Sequence, residues 1–316
     1  MFAALAVVLP IFALILAGAA CRRAGIFGAT ATTELNRFVV WLGLPSLMFH
    51  ITANAGWQEL YRPGFTAVFG ISCFTMFGLA LLVAVRQRGL ADGAVEGLIA
   101  GYPNTGYLGF PLALAVLGPA SSTGVTIASI LTACVMFGVA IVLLEIGIQE
   151  ERRLGPLLFK VSLSLLKNPL VVSPVLGVLW AATGIPLPHS ADSALLLLGG
   201  AASPCALVAL GTFLADKRPP APGQRPTELF LAMAKLLLQP GIAYVLAHFV
   251  FNLPKFEADL AVLMAALPTG TGPFMLAEYY GRDAAITAKV ILATTLCSVI
   301  TITIFLTLSG YGGLPG

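Results

Sequence analysis

Apolar residues run through this chain in blocks of about twenty, and polar residues collect between the blocks. A helix needs about 20 predominantly apolar residues to cross the hydrocarbon core of a bilayer. Ten segments fit or approach that length: 2–21, 34–54, 64–85, 93–117, 122–146, 168–184, 190–214, 227–251, 257–280 and 283–308. The pattern predicts an all-α integral membrane protein of about ten transmembrane helices, the fourth and ninth interrupted. Between the halves, Leu157, Leu158, Val161, Leu165 and Leu166 fall near helical spacing beside Lys160 and Lys167, which predicts a short interfacial helix. The proline-rich stretch 216–226, DKRPPAPGQRP, reads as a polar connector.

Composition agrees. Of 316 residues, 58% are hydrophobic and 10% charged, too few charges to cover a water-facing surface when soluble domains carry roughly 25%. A net charge of +3 without a basic run gives no sign of a nucleic-acid partner, and membrane lipids are the expected surroundings. Cys21, Cys73, Cys134, Cys205 and Cys297 lie in or beside apolar stretches, without disulfide or metal-ligand spacing. No Lys or Arg precedes the first apolar run, so Met1–Ala20 is expected to be a retained first span rather than a cleaved signal. With the N-terminus outside, Arg22, Arg23, Arg86, Arg88, Arg152, Arg153, Lys160, Lys167, Lys217, Arg218, Arg225 and Arg282 fall in cytoplasmic loops, against Arg62 and Lys255 outside. That asymmetry predicts a multi-pass protein of the cytoplasmic (inner) membrane with both termini external.

The halves resemble each other. LGLPSLMF around Pro45 has a counterpart in GAASPCAL around Pro204, 159 positions later. GYPNTGYLGFP pairs with ALPTGTGPF, Pro103 with Pro268 at a shift of 165, and TIASILTA with TAKVILAT at 161. Five spans per half is an odd number, so the second half enters the membrane from the opposite side. This predicts two inverted five-span repeats, 1–150 and 151–316.

The paired interruptions carry the chemistry. Pro103, Gly106, Gly109 and Pro111 should unwind the fourth span, and Pro268, Gly270, Gly272 and Pro273 the ninth, where Thr269 and Thr271 add hydroxyls. Unwound backbone at membrane depth is tolerated only inside protein or against a watery cavity. Matched Gly/Pro breaks in corresponding spans mark a transport site, and half-helix N-termini meeting there favour an anion. Pro103, Asn104, Thr105, Gly106, Pro268, Thr269, Gly270 and Thr271 are therefore the expected substrate-binding positions. Gly109, Pro111, Gly272, Pro273, Pro45 and Pro204 are the expected hinges. The Asn104 amide can orient a carboxylate or a hydroxyl, or satisfy freed backbone groups.

The remaining charges fit a lesser part. Lys289 can snorkel to the cytoplasmic interface or balance a substrate carboxylate. Glu278 is read as a structural partner of Lys289 or Arg282, with a coupling proton as its other role. Lys235 is expected to snorkel, Glu145 to lie at the interface, and His50 and His248 to sit in wet interfacial positions. No catalytic constellation, cofactor motif or phosphate loop is present in the sequence, which argues against an enzyme and against ATP-driven transport.

GYPNTGYLGFPLALAVLG resembles the crossover signature of the auxin efflux carrier family, and LPTGTGPFMLAEYYG followed by TTLCSVITITIF its C-terminal signature. LGLPSLMF and KNPLVVSPVLGVL are similar to its second and sixth spans. The family includes plant auxin exporters and bacterial carriers of malonate or malate type. The resemblance implies a fold shared with sodium–bile acid symporters, with spans 1, 2, 6 and 7 as a dimerising scaffold and spans 3–5 and 8–10 as a transport domain that moves like an elevator. It implies a secondary transporter of a small organic anion such as an auxin-like acid, malonate or malate, with the crossover at Pro103–Asn104 and Pro268–Thr269. Two departures are visible: Thr269 stands where an amide would match Asn104, and the third span has no charged side chain. A sodium- or proton-coupled symporter of another organic anion, or a sensor of this fold without flux, are the alternatives.

Overall fold

A computed structural model describes residues 2–56, 60–149, 154–215 and 225–311. The expectations for Arg152, Arg153, Lys217 and Arg218 lie outside these residues, as does the connector over 216–224. The described chain is helical throughout, with one isolated antiparallel bridge. We label the helices α1 (Phe2–Arg23), α2 (31–53), α3 (Pro63–Arg88), α4 (Leu90–Gly101), α5 (Thr105–Leu117), α6 (Pro119–Ile148), α7 (Leu154–Lys167), α8 (Pro169–Ala182), α9 (His189–Ala215), α10 (Thr227–Val250), α11 (Lys255–Ala266), α12 (Gly272–Tyr279) and α13 (Ala284–Leu308). Among the described residues, α3, α6, α9, α10 and α13 are each long and apolar enough to cross a membrane. α7 and α8 form a sixth candidate, bent by 73°. The bend falls at Asn168, whose side chain caps α8 by accepting the Leu170 N–H at 3.0 Å, just ahead of Pro169 at the first helical position.

The remaining apolar segments of the sequence coincide with α1, α2 and the pairs α4–α5 and α11–α12. Several prolines sit inside long helices without breaking them. Wider π-turns at Val39–Gly43 and Ala234–Leu238 lie just upstream of Pro45 and Pro240. The extra residue per turn makes room for a proline ring that would otherwise strike the carbonyl four residues back. Pro45 thus sits in a continuous helix, and so does Pro204 within α9.

Two sets of helices pack closely. α1 lies along α9, and α2 lies against α8 and α9. α3 packs on α4, α10 and α11, α4 on α6, and α13 on α10 and α12. The short helices α4 and α11 are buried on nearly every side, from Gly93 to Gly101 and from Ala258 to Ala266, which explains why 97–101 and 260–266 carry no charged side chain. The outer faces carry large exposed apolar side chains, such as Leu82, Leu197, Phe249 and Leu308, as a bilayer requires. α7 exposes Leu158, Phe159 and Leu166 and buries Val161.

Candidate functional site

The site is made by two helices that stop and restart. α4 ends at Gly101, and Pro103 holds Tyr102 in extended backbone (φ −100°, ψ 91°). α11 ends at Ala266, and Pro268 does the same to Leu267 (φ −60°, ψ 147°). The two extended stretches then pair as antiparallel strands, Pro103 opposite Thr269. The Asn104 N–H donates to the Pro268 carbonyl at 2.9 Å, and the Gly270 N–H donates to the Tyr102 carbonyl at 3.0 Å. The approach demands glycine at 270, where a Cβ would lie 2.8 Å from a Tyr102 ring carbon. Asn104 occupies an inverse γ-turn (φ −78°, ψ 61°), closed by the Thr105 N–H on the Pro103 carbonyl at 2.9 Å.

Threonines from the long helices that follow pin each break. Thr269 is fully buried; its N–H donates to Thr294 Oγ1 of α13 at 3.2 Å, and its hydroxyl donates to the Ile99 carbonyl of α4 at 2.9 Å. Thr105 pairs with Thr132 of α6 at 2.9 Å. The Thr132 hydroxyl donates to the Ala128 carbonyl at 2.9 Å, so the proton between the two threonines comes from Thr105.

The helix ends behind the crossover meet Lys235. Its amine, fully buried, donates to Gln239 Oε1 at 2.5 Å and to the Ala265 carbonyl at 2.9 Å. Gln239 Nε2 in turn reaches Cys73 Sγ at 3.1 Å and the Gly101 carbonyl at 3.4 Å. Lys235 and Gln239 thus satisfy carbonyls at the C-terminal ends of α11 and α4, where the helix dipoles are negative. This corrects the snorkelling expected of Lys235: backbone acceptors from distant helices hold it in the interior.

In front of the crossover lies a cavity of about 170 Å³, between the α2 and α9 wall and the two breaks. Asn104, Thr105, Gly106 and Thr271 line it, as do Gly272, Tyr102, Tyr107 and Ser129. Pro103, Pro268, Thr269 and Gly270 form the bridge beneath and do not line it. Among the hinge positions Gly272 reaches the cavity, whereas Gly109, Pro111, Pro273, Pro45 and Pro204 do not. The backbone N–H groups of Gly106, Tyr107, Thr271 and Gly272 have no protein acceptor among the described residues, as expected at the starts of α5 and α12. The Asn104 carboxamide makes no hydrogen bond to a described residue although Asn104 is buried, and Ser129 Oγ is buried without a partner. Unpartnered N–H groups, a carboxamide and a hydroxyl around one small space suit an anion with hydrogen-bonding oxygens.

The outlying charges are occupied elsewhere. Lys289 pairs with Glu228 of α10 at 2.7 Å, not with Glu278, which is half-buried on α12 and does not line the cavity. Arg282 pairs with Asp92 at 3.5 Å. Glu145 is buried rather than interfacial: it accepts from the Tyr280 hydroxyl at 2.7 Å, which itself accepts from Asn168 Nδ2 at 3.0 Å, linking α6, α12 and α8. His50 pairs with Asp192 at 3.1 Å across α2 and α9, and His248 stacks on Tyr244 at an exposed position. Sequence reasoning missed Ser129, Tyr102 and Tyr107 in the lining, misplaced Lys235 and missed its partner Gln239. The readable signal for the last two was their spacing, i and i+4 on one face of an apolar helix.

Residues 3–306 match the family described as Membrane transport protein. A protein named "Putative malonate transporter" from Rhizobium meliloti (strain 1021) is 30% identical over 312 residues, covering 98% of this chain and 96% of that one. The "Uncharacterized transporter YfdV" of Escherichia coli (strain K12) is 26% identical over 280 residues, 86% of this chain and 87% of its own. "Auxin efflux carrier component 8" of Arabidopsis thaliana is 28% identical over 142 residues, 43% of this chain and 38% of its own.

Proposed function

Since the chain belongs to the Membrane transport protein family, the auxin efflux carrier family whose motifs it carries, we propose that it is a secondary carrier of a small organic anion, a carboxylate of malonate type, bound in the cavity before the crossover. The observation that carries this reading is the pair of broken helices joined through Asn104 and Gly270, with four unpartnered N–H groups on cavity-lining residues. The name of the Rhizobium meliloti relative supports malonate as the first acid to try.

In this reading the ten apolar segments are ten spans in two inverted repeats, with both termini outside. The matched breaks, each pinned by a threonine of the next long helix, support the repeat. α1, α2, α8 and α9 act as scaffold, and the other spans carry the site past them as an elevator. The cavity's place between the two packed sets supports that division. Two copies associate through the scaffold, and a monomeric mass in mild detergent would overturn this part.

Counterflow in proteoliposomes tests the function without presupposing a coupling ion. Labelled malonate should enter vesicles preloaded with unlabelled malonate, saturably. Asn104→Ala removes a buried hydrogen bond to a charged group and should lower flux at limiting substrate by about 10–100-fold with the fold intact. Unchanged affinity and flux in that variant would remove Asn104 from the site.

A further inference from the structure

We infer that the cavity takes the singly charged form of its acid, so that a dicarboxylate such as malonate crosses with one carboxyl protonated and serves as its own proton carrier. This rests on the carboxylate reading above and goes further, to the charge and proton content of the bound species.

Three observations carry it. The first is electrostatic. Among the described residues no Lys, Arg, His, Asp or Glu lines the cavity, whose titratable groups are the phenols of Tyr102 and Tyr107, uncharged at neutral pH. The positive field comes from the starts of α5 and α12, each roughly half an elementary charge, or about one together. One carboxylate is matched; a second would stand uncompensated at membrane depth, where a lone charge is heavily penalised. Lys235 does not change this balance, because it sits behind the crossover against the negative ends of α4 and α11.

The second observation is the direction of a proton. Thr132 spends its hydroxyl hydrogen on Ala128, so Thr105 spends its own on Thr132 and offers the cavity only lone pairs. Lone pairs repel a carboxylate and accept the O–H of a protonated carboxyl. The third is the donor set beside it: Ser129 Oγ, the Asn104 carboxamide and the free N–H groups can surround one carboxylate. The site therefore has a place for one ionised and one protonated carboxyl.

Charged groups on the elements packed around the cavity lie outside its lining. On α2 these are Glu34, Arg37 and His50, on α4 Asp92 and Glu96, on α6 Glu145, on α9 His189 and Asp192 and on α12 Glu278. Glu34 pairs with Arg37, His50 with Asp192, Asp92 with Arg282, Glu96 with Arg88, and Glu145 binds Tyr280.

The test compares malonate with its monomethyl ester, which stays singly charged at every pH used. Counterflow of each labelled acid is followed at limiting concentration, with equal pH on both sides, over a series above malonate's second pKa. Malonate flux should fall about tenfold per unit of rising pH, as its monoanion fraction does, while the ester's flux stays level. Malonate flux that holds or rises with pH overturns the inference and leaves a carboxylate carrier standing. A pH dependence shared by the ester overturns it too, by placing the titration on the protein, and so does refusal of the ester while malonate is carried. Absence of flux for every acid at every pH, from folded protein, sinks the carrier function itself and this inference with it.

Discussion

Lys235→Met should lower the stability of the folded protein by about 3 kcal/mol and abolish malonate counterflow. The substitution keeps most of the apolar stem and removes the amine. It strips a donor from the Ala265 carbonyl and from Gln239 Oε1, both without access to water. Each buried acceptor left unsatisfied costs about 1–3 kcal/mol, which sets the size of the effect. The loss falls on the crossover, because Ala265 lies three residues before Pro268 and Gln239 holds the carbonyl of Gly101, two before Pro103. Thermal unfolding in detergent, followed by tryptophan fluorescence, measures the first part and counterflow the second. A variant with wild-type melting and wild-type flux would show that the amine neither holds the helix ends together nor supports the site.

Gly211→Ala should destabilise the α1–α9 pair by about 3 kcal/mol, a large cost for one methyl group. A Cβ at Gly211 would fall 2.0 Å from the Ile15 carbonyl oxygen, and one at Gly18 would fall 2.2 Å from that of Val208. The two helices touch backbone to backbone at both points, so no side chain can turn aside and the helices themselves must part. Small residues at such crossings are how membrane helices gain contact where lipid offers no hydrophobic drive. Gly138→Ala on α6 is the control: nothing lies within 4 Å of its Cβ, and alanine's better helix propensity should leave stability level or raised by about 1 kcal/mol. Similar melting losses at both positions would refute the close-contact account.

The parts of this structure that were legible in the sequence are those written in local chemistry. Pro103 and Pro268 each force the residue before them out of the helix, so the breaks could be placed to the residue. Apolar runs gave the helices, and the bend at Asn168 follows from an Asn–Pro start signal. What escaped were features settled by partners far along the chain. A lone lysine in an apolar helix reads as one that reaches for the interface; the carbonyls that hold Lys235 inside exist only because two other helices end beside it. Thr269 and Thr271 looked alike, yet the register of a two-residue bridge buries the first hydroxyl on Ile99 and leaves the second residue at the cavity. Glu145 stands at the end of an apolar run, where an interfacial position is the simplest expectation, and Tyr280, 135 residues away, draws it inward. Ser129 lay within a stretch read only as a repeat landmark, and its place one turn before Thr132 gained meaning once α6 packed against the break.

The two breaks share a backbone but not their side chains. Asn104 and Ser129 bring the lining its carboxamide and a free hydroxyl from the first half, while Thr269, which faces Asn104's neighbour across the bridge, is spent internally. The pocket therefore has a distinct front and back, although both broken helices meet at it. In the elevator reading proposed above the site travels as one body, so a ligand with a stereocentre would meet the same arrangement of polar groups from either side of the membrane. Enantiomeric preference measured on right-side-out and inside-out vesicles should consequently be the same.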